Sequence, residues 1–203
     1  PNMAEIPLFP LPFVLFPGGR LSLQIFETRY LDMVMRCMRG DSGFGVVMIE
    51  EGSQVLENSE QSLPSVSHQG VYCKIINFDQ LPTGMLGIMI EGQTKFVIRD
   101  QYEQPDRLMM ADVEFLETEE PHEVPDEFEH LVRILQSFVE HQDVVSLGYT
   151  VDFNSAVEVG ARLTELLPCA DETKQLLLEL RNPLARLKEL AKVVAEMQGH
   201  LSS

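Results

Sequence analysis

The feature that most constrains this chain is a change of hydrophobic period near residue 118. Before it, apolar residues come in short β-branched or alternating runs punctuated by Gly and Pro. After it, they recur every three or four positions. A period of two suits a half-buried strand, and a period near 3.6 suits a helix with one buried face. Strands followed by helices predict an α+β architecture in two parts, residues 1–117 and 118–203. At 203 residues the chain is long enough for one large domain or two small ones, with a proper hydrophobic core.

In the first part, Leu21-Ser22-Leu23-Gln24-Ile25 alternates as a half-buried strand should. Further strands are expected over residues 44–50, 71–78, 86–90, 94–99 and 109–116. Pro82-Thr83-Gly84 predicts a turn before the 86–90 strand, and Gly92-Gln93 predicts a hairpin after it. Short strands with close turns predict a small antiparallel barrel or sandwich. One helix interrupts them over residues 27–39. It places Tyr30, Val34, Cys37 and Met38 on one face, with Arg36 and Arg39 in its last turn and Gly40 as its stop. The polar, aperiodic stretch 51–69 reads as a long, mobile loop.

Residues 118–125 read as a linker. Beyond it, Asp126 with Glu129 and Ser155 with Glu158 have the spacing of capping boxes. The first precedes the stripe Phe128, Leu131, Leu135, Phe138 and Val139; the second precedes Val159, Leu163, Leu166 and Leu167. Pro168 ends the second of these helices, and Asp171 is placed to cap a third over 172–180. Asn182 with Pro183 opens a fourth, along which Leu184, Leu187, Ala191, Val194 and Met197 align.

Charge narrows the chemistry. Fifteen Lys and Arg stand against 32 Asp and Glu, a net charge of −17. A phosphate backbone is held by clustered cations, so nucleic acid would need Arg20, Arg29, Arg36, Arg39, Lys74, Lys95 and Arg99 to share one face. Cys37, Cys73 and Cys169 are odd in number and far apart, as buried reduced thiols are. The first residues lack the charged and apolar regions of a secretory leader. No apolar run approaches the ~20 residues of a membrane span, which points to the cytoplasm.

Neither GxxxxGK[ST], GxSxG nor HExxH occurs. His122 and His130 read as a solvated pair rather than metal ligands, so no metal or cofactor is expected. The acidic run from Glu114 to Glu129 reads as a solvated face, whose functional use would be selection of basic polypeptides. Ten methionines fill irregular cores, or let one surface accept many apolar sequences. Met35 lies off the apolar face of its helix and is therefore expected to be exposed.

Both ends of the chain resemble one family. Ile6-Pro7-Leu8-Phe9-Pro10-Leu11, Val14-Leu15-Phe16-Pro17-Gly18 and Leu21-Ser22-Leu23-Gln24-Ile25-Phe26-Glu27-Thr28-Arg29-Tyr30 resemble the opening signature of the Lon protease N-terminal domain. Leu166-Leu167-Pro168, Lys174-Gln175-Leu176-Leu177-Leu178-Glu179 and Arg186-Leu187 resemble its closing helical segment. Gly92-Gln93-Thr94-Lys95-Phe96 is similar to its hairpin before the last barrel strand, while Val71 departs from the family pattern. The resemblance implies a PUA-like β-barrel with one inserted helix, followed by a helical bundle. It covers nearly the whole chain, without the ATPase and protease modules that follow this segment in full-length Lon. Within the signature, Pro10, Pro12 and Pro17 would stiffen an entry segment. Phe26 with Tyr30 would pack the helix onto the barrel, and Arg29 would pair with a carboxylate or backbone carbonyl.

The resemblance implies a non-enzymatic module that recognises exposed apolar or unfolded polypeptide segments, as an adaptor for an ATP-dependent protease. Its groove would lie between barrel and bundle, drawing on Met35, Arg29, Met85, Met89 and Met109. The partner would be a polypeptide, not nucleic acid or membrane, and the apolar surface admits a homodimer. The alternative is an enzyme or small-molecule binder in the same cleft, for which a deep closed pocket with a buried carboxylate or His, such as His68 or His141, would be the mark.

Overall fold

The computed structural model describes residues 2–201. It has a mixed six-stranded sheet and helices, with a division into two compact units between Glu117 and Thr118.

The first unit holds β1 (Met3–Leu11), β2 (Arg20–Ile25), α1 (Thr28–Gly40), β3 (Phe44–Glu51), β4 (Ser65–Gln80), β5 (Leu86–Glu103) and β6 (Met109–Phe115). The sheet order is β2-β5-β4-β3-β1-β6, and β5 also pairs with β6, so the strand order closes on itself with β2 outside the ring. All pairings are antiparallel except β1 with β3.

β1 was not expected as a strand, because it carries Pro7 and Pro10. It succeeds because Met3–Pro7 pairs with β6 and Leu8–Leu11 pairs with β3. Each stretch has one neighbour at a time, the setting in which strand prolines are tolerated.

The expected Gly92-Gln93 hairpin does not form. Residues 86–90 and 94–99 belong to the single strand β5, which pairs with β2 over Leu86–Glu91, with β4 over Leu86–Val97 and with β6 over Phe96–Glu103. Gly92 serves close approach, not a turn. A Cβ there would lie 2.2 Å from the Phe16 carbonyl oxygen. The Gly18 amide donates to the Gly92 carbonyl at 2.8 Å, and the Gly92 amide donates to Gly19 at 2.9 Å. Gln93 forms a bulge, where the register steps from Tyr72↔Thr94 to Cys73↔Gly92. The turn expected at Pro82-Thr83-Gly84 does join β4 to β5, with Gly84 at φ 85°.

One core of this unit gathers Ile6, Leu8, Val47, Phe96, Ala111 and Val113. On α1 the buried residues are Arg29, Tyr30, Met33, Val34 and Cys37, whereas Met38 is exposed. The helix runs through Gly40, and the left-handed cap is Asp41 at φ 49°. Tyr30 stacks on Phe9 with centroids 4.2 Å apart. Phe26 is exposed and takes no part in that packing.

The second unit holds a 3-10 turn (Asp126–Phe128), α2 (Glu129–Phe138), α3 (Gln142–Val145), α4 (Ala156–Leu166), α5 (Asp171–Glu179) and α6 (Pro183–Leu201). Its core joins Leu131 and Leu135 of α2, Val159 and Leu163 of α4, and Leu187 and Leu190 of α6. The expected caps divide. Asn182 Oδ1 accepts from Leu184 and Ala185, and Ser155 Oγ accepts from Glu158, as spacing required. Glu158 closes on the Asp152 amide instead of on its own cap residue. Asp126 makes no side-chain cap, because the chain enters α2 through the 3-10 turn. Asp171 lies inside α5, with Ala170 as the cap residue, and acts on the helix dipole from the first turn.

The segment expected to be a solvated linker supplies the strongest polar contact of this unit. Glu119 receives Arg186 on both carboxylate oxygens at 2.8 and 2.7 Å. Arg186 also donates to the Leu177 carbonyl at 2.9 Å and to the Leu180 carbonyl. The guanidinium therefore ties the chain entering the unit to the α5–α6 junction. Two substitutions test these anchors. Gly92→Ala forces a methyl group onto the Phe16 carbonyl and should cost about 1–3 kcal/mol, the usual range for overpacking, read as a lower urea midpoint. Glu119→Ala strands a buried cation and should cost about 3–5 kcal/mol. A midpoint unchanged in either variant contradicts the corresponding assignment.

Candidate functional site

Apolar side chains left in water are the informative exceptions in a folded unit. In the strand unit, several of them lie on the outer half of the β4–β5 hairpin and the last turn of α1. Phe78 is 57%, Ile76 42% and Met38 39% exposed. The sequence cause is a bulge: Ile75 pairs with Ile90 and Asn77 with Met89, which leaves Ile76 with no residue opposite. The extra residue shifts the alternation, so Ile75-Ile76-Asn77-Phe78 cannot bury all its apolar members on one face.

Two hollows flank this stretch and share Asn77 and Phe78. One, about 290 Å³, is lined by Ser22, Gln24, Asp79, Leu81, Gly87 and Met89 among others. Cross-strand register sets Ser22, Met89 and Asn77 in one row and Gln24, Gly87 and Asp79 in the next. Residues two apart share a face, so both rows lie on one side of the sheet, while Leu23, Ile88 and Phe78, the row between them, also line the hollow and belong to the other side. Position 87 adds no side chain to the hollow. A Cβ there would meet Leu81 and the Asp79 carbonyl at an ordinary 3.5 Å.

The other hollow, about 270 Å³, is lined by Cys37, Met38, Asp41, Lys74, Ile76 and Phe78 among others. Lys74 faces Asp41 across 3.9 Å. The Cys37 thiol donates to the Gly43 carbonyl at 3.3 Å. Burial pushes that thiol up, outweighing the lowering by Ser42 and Arg36, so it is not an activated nucleophile. The chemistry on offer here is contact with apolar groups, framed by Asp79 and Asp41.

The residues named from sequence scatter. Met89 lines the first hollow, and Met85, half-buried, closes the hairpin turn by accepting from the Leu81 amide at 2.9 Å. Met35 is exposed on α1 and lines neither hollow. Met109 is 5% exposed and belongs to the core with Phe96. Arg29 is buried as well. It donates to the carbonyls of Arg107 at 2.8 Å and Gln54 at 2.9 Å, and to Glu27 at 3.3 Å. Its guanidinium sits 4.5 Å from the Tyr30 ring centre. Burial pushes the Tyr30 hydroxyl up to about 12, against the lowering by Arg29.

Arg29 also revises the expectation of a loose loop at 51–69. β4 begins at Ser65, and the chain before it is tied down by Arg29 at Gln54 and by Arg107, which donates to the Ser59 carbonyl at 3.2 Å. The acidic run is likewise not uniformly solvated: Glu119, its side chain 9% exposed, is held by the buried Arg186 at 2.7 Å, whereas the Glu114–Arg99 pair stands in water. His68 and His141 are both exposed, so neither is the buried histidine that the enzyme alternative asks for. Among the described residues, no group of three His, Cys, Asp or Glu is placed to hold a metal ion. Sequence reasoning missed Phe78 and Ile76. Their signal was the unbroken apolar pair Ile75-Ile76 followed one residue later by Phe78, which no strict alternation accommodates.

Comparison with known proteins gives a consistent set of similarities. The family model for the ATP-dependent protease La (LON) substrate-binding domain matches residues 5–196. A Lon protease of Cytophaga hutchinsonii is 30% identical over 117 residues, 57% of this chain and 14% of that protein, so the chain spans about a seventh of that relative. The crystal structure of a Lon N-terminal domain protein from Xanthomonas campestris aligns with TM-score 0.74 at 28% identity, covering 93% of this chain and 98% of that one. The N-terminal domain of a Mycobacterium avium complex Lon protease shares the fold at TM-score 0.58 and 13% identity, covering 93% and 97%.

Arg29 should hold the 52–64 strap closed. Arg29→Met removes charged donors from two backbone carbonyls and should cost about 2–3 kcal/mol. Limited proteolysis should then cut first between residues 52 and 64. Unchanged cleavage would show that the strap is held by something else.

Proposed function

The chain belongs to the ATP-dependent protease La (Lon) substrate-binding domain family, and from that premise we propose that it is a binding module that captures exposed apolar or unfolded polypeptide segments. The site is the β4–β5 surface of the strand unit. One observation carries this reading: Phe78, Ile76 and Met38 stand in water beside two hollows instead of completing a core. A side chain such as Phe gains about 1.5–3 kcal/mol when it is fully buried, so this surface is worth covering. Thioethers at Met38 and Met89 tolerate varied apolar partners. Asp79, Asp41 and the net charge of −17 favour segments that also carry Lys or Arg.

In the same reading, the closed strand order is a PUA-like barrel and the helices form a bundle. The protein works without catalysis of its own, in the cytoplasm, as an adaptor that presents bound segments to an ATP-dependent protease. Among the described residues, no helix is long and apolar enough to cross a membrane.

Fluorescein-labelled, reduced and alkylated lysozyme is a basic, permanently unfolded probe. It should bind the protein saturably by fluorescence anisotropy. Phe78→Ser should weaken binding about tenfold, roughly 1.4 kcal/mol, while Met109→Leu in the core should leave it unchanged. No saturable binding, or equal affinity in the Phe78 variant, contradicts the proposal.

A further inference from the structure

We infer that the captured segment docks as an added β-strand on the open edge of β2, with its apolar side chains over Ser22 toward Met89 and its basic side chains drawn to the same face by the charge of Asp79. This rests on the polypeptide-binding reading above and specifies how the chain is held.

The edge is open by topology. β2 is the end of the sheet order and has β5 as its single neighbour. Apart from that ladder, Leu21, Ser22, Leu23, Gln24 and Ile25 make no backbone–backbone hydrogen bond among the described residues. In an antiparallel pair, alternate residues turn their N–H and C=O groups away from the partner. Those groups on β2 form an unfilled template.

Natural sheets usually blunt such an edge with proline, a bulge or an outward charge. β2 has none of these. Its sequence Arg20-Leu21-Ser22-Leu23-Gln24-Ile25 contains no proline, and its register with β5 runs without a shift from Arg20↔Glu91 to Ile25↔Leu86. Its one charge, Arg20, is held by Glu91 at 2.9 Å. An edge left available beside an apolar hollow is the arrangement used for strand addition, in which backbone bonds give affinity and alternate side chains give selectivity.

The side chains fit that geometry. Of the residues that line the hollow, Ser22 and Gln24 share one face of β2, next to Met89 and Gly87 respectively. Ser22 is small, so an apolar residue set opposite it leans across to the half-buried Met89. Two positions along, the row Gln24, Gly87 and Asp79 sets a carboxylate about 14 Å, three strand spacings, from an added strand, so a basic residue opposite Gln24 is favoured by charge across the hollow and not by direct contact. Asp79 is the only ionisable group among the residues lining that hollow. The segment recognised is therefore an extended one that alternates apolar and basic residues on one face.

The test uses the full chain and a fluorescein-labelled ten-residue peptide in which every residue on one face is Phe or Lys in turn and the others are Thr. Two analogues carry N-methyl groups on alternate backbone amides, one on the odd residues and the other on the even. An added strand uses one edge only, so one analogue should lose at least tenfold in affinity and the other should bind within twofold of the parent. Amide exchange should show alternate residues of Leu21–Ile25 at least tenfold slower with the parent peptide bound. Gly87→Ala, whose added Cβ makes only ordinary van der Waals contacts, should weaken binding of the parent by narrowing the hollow. If both analogues bind like the parent, strand addition is wrong while capture by the apolar surface stands. If the β2 amides are protected in the free protein and lose protection on dilution, a second copy occupies the edge and the inference is overturned. If neither the parent peptide nor the unfolded lysozyme probe binds, the underlying reading falls and this one with it.

Discussion

The geometry of the strand unit depends on β5. Eighteen residues long, it is the one strand that meets three others, β2 and β4 along its first part and β6 along its second. A strand in that position must bend and twist to change neighbours, and the bulge at Gln93 supplies the break in register. Gly92 sits at that break. The Gly18–Gly19 turn bonds to it in both directions, and nothing larger than hydrogen fits against the Phe16 carbonyl. The Pro17-Gly18 segment is thus pinned to the middle of the sheet. From there β2 is laid along the outer part of β5, where it stops the sheet on one side.

Two arginines organise what surrounds these ladders, by similar chemistry. A buried guanidinium is costly unless every donor is met by a fixed acceptor. Arg29 finds the carbonyls of Gln54 and Arg107, and Arg186 finds the Glu119 carboxylate with the carbonyls of Leu177 and Leu180. Each ties a stretch without regular structure to the helix that carries it. Arg29 and Tyr30 lie in the most recognisable stretch of sequence, and both are consumed by scaffold. Phe78, Ile76 and Met38, by contrast, are exposed apolar side chains that flank the two hollows.

Much of this was legible in the residues, and the failures share a cause. Period and capping chemistry found the change from strands to helices, the turn at Pro82-Thr83-Gly84, and the caps at Ser155 and Asn182, because those signals act within a few residues. Gly92-Gln93 misled because glycine marks a close approach as readily as a turn, and only the distant Phe16 carbonyl decides between them. β1 was missed because its prolines are tolerated only through a change of partner at Leu8. Asp126 and Asp171 have capping spacing, but the chain enters those helices one step away from them. Met89, named for its residue type, lines the first hollow. Met109 has the same chemistry and lies in the core, since a methionine's sequence does not tell which face of β6 it occupies. Phe78 required knowledge of the bulge beside it.

A polypeptide held on the outer half of the β4–β5 hairpin should leave a local imprint on the protein that holds it. Amide and methyl chemical-shift mapping on isotopically labelled protein, titrated with an unlabelled unfolded chain, reads that imprint most directly. Shifts confined to Leu23, Met38, Ile76, Phe78 and Met89 with their immediate neighbours, saturating together, are the expected result. Shifts that saturate elsewhere while these five stay still would contradict it.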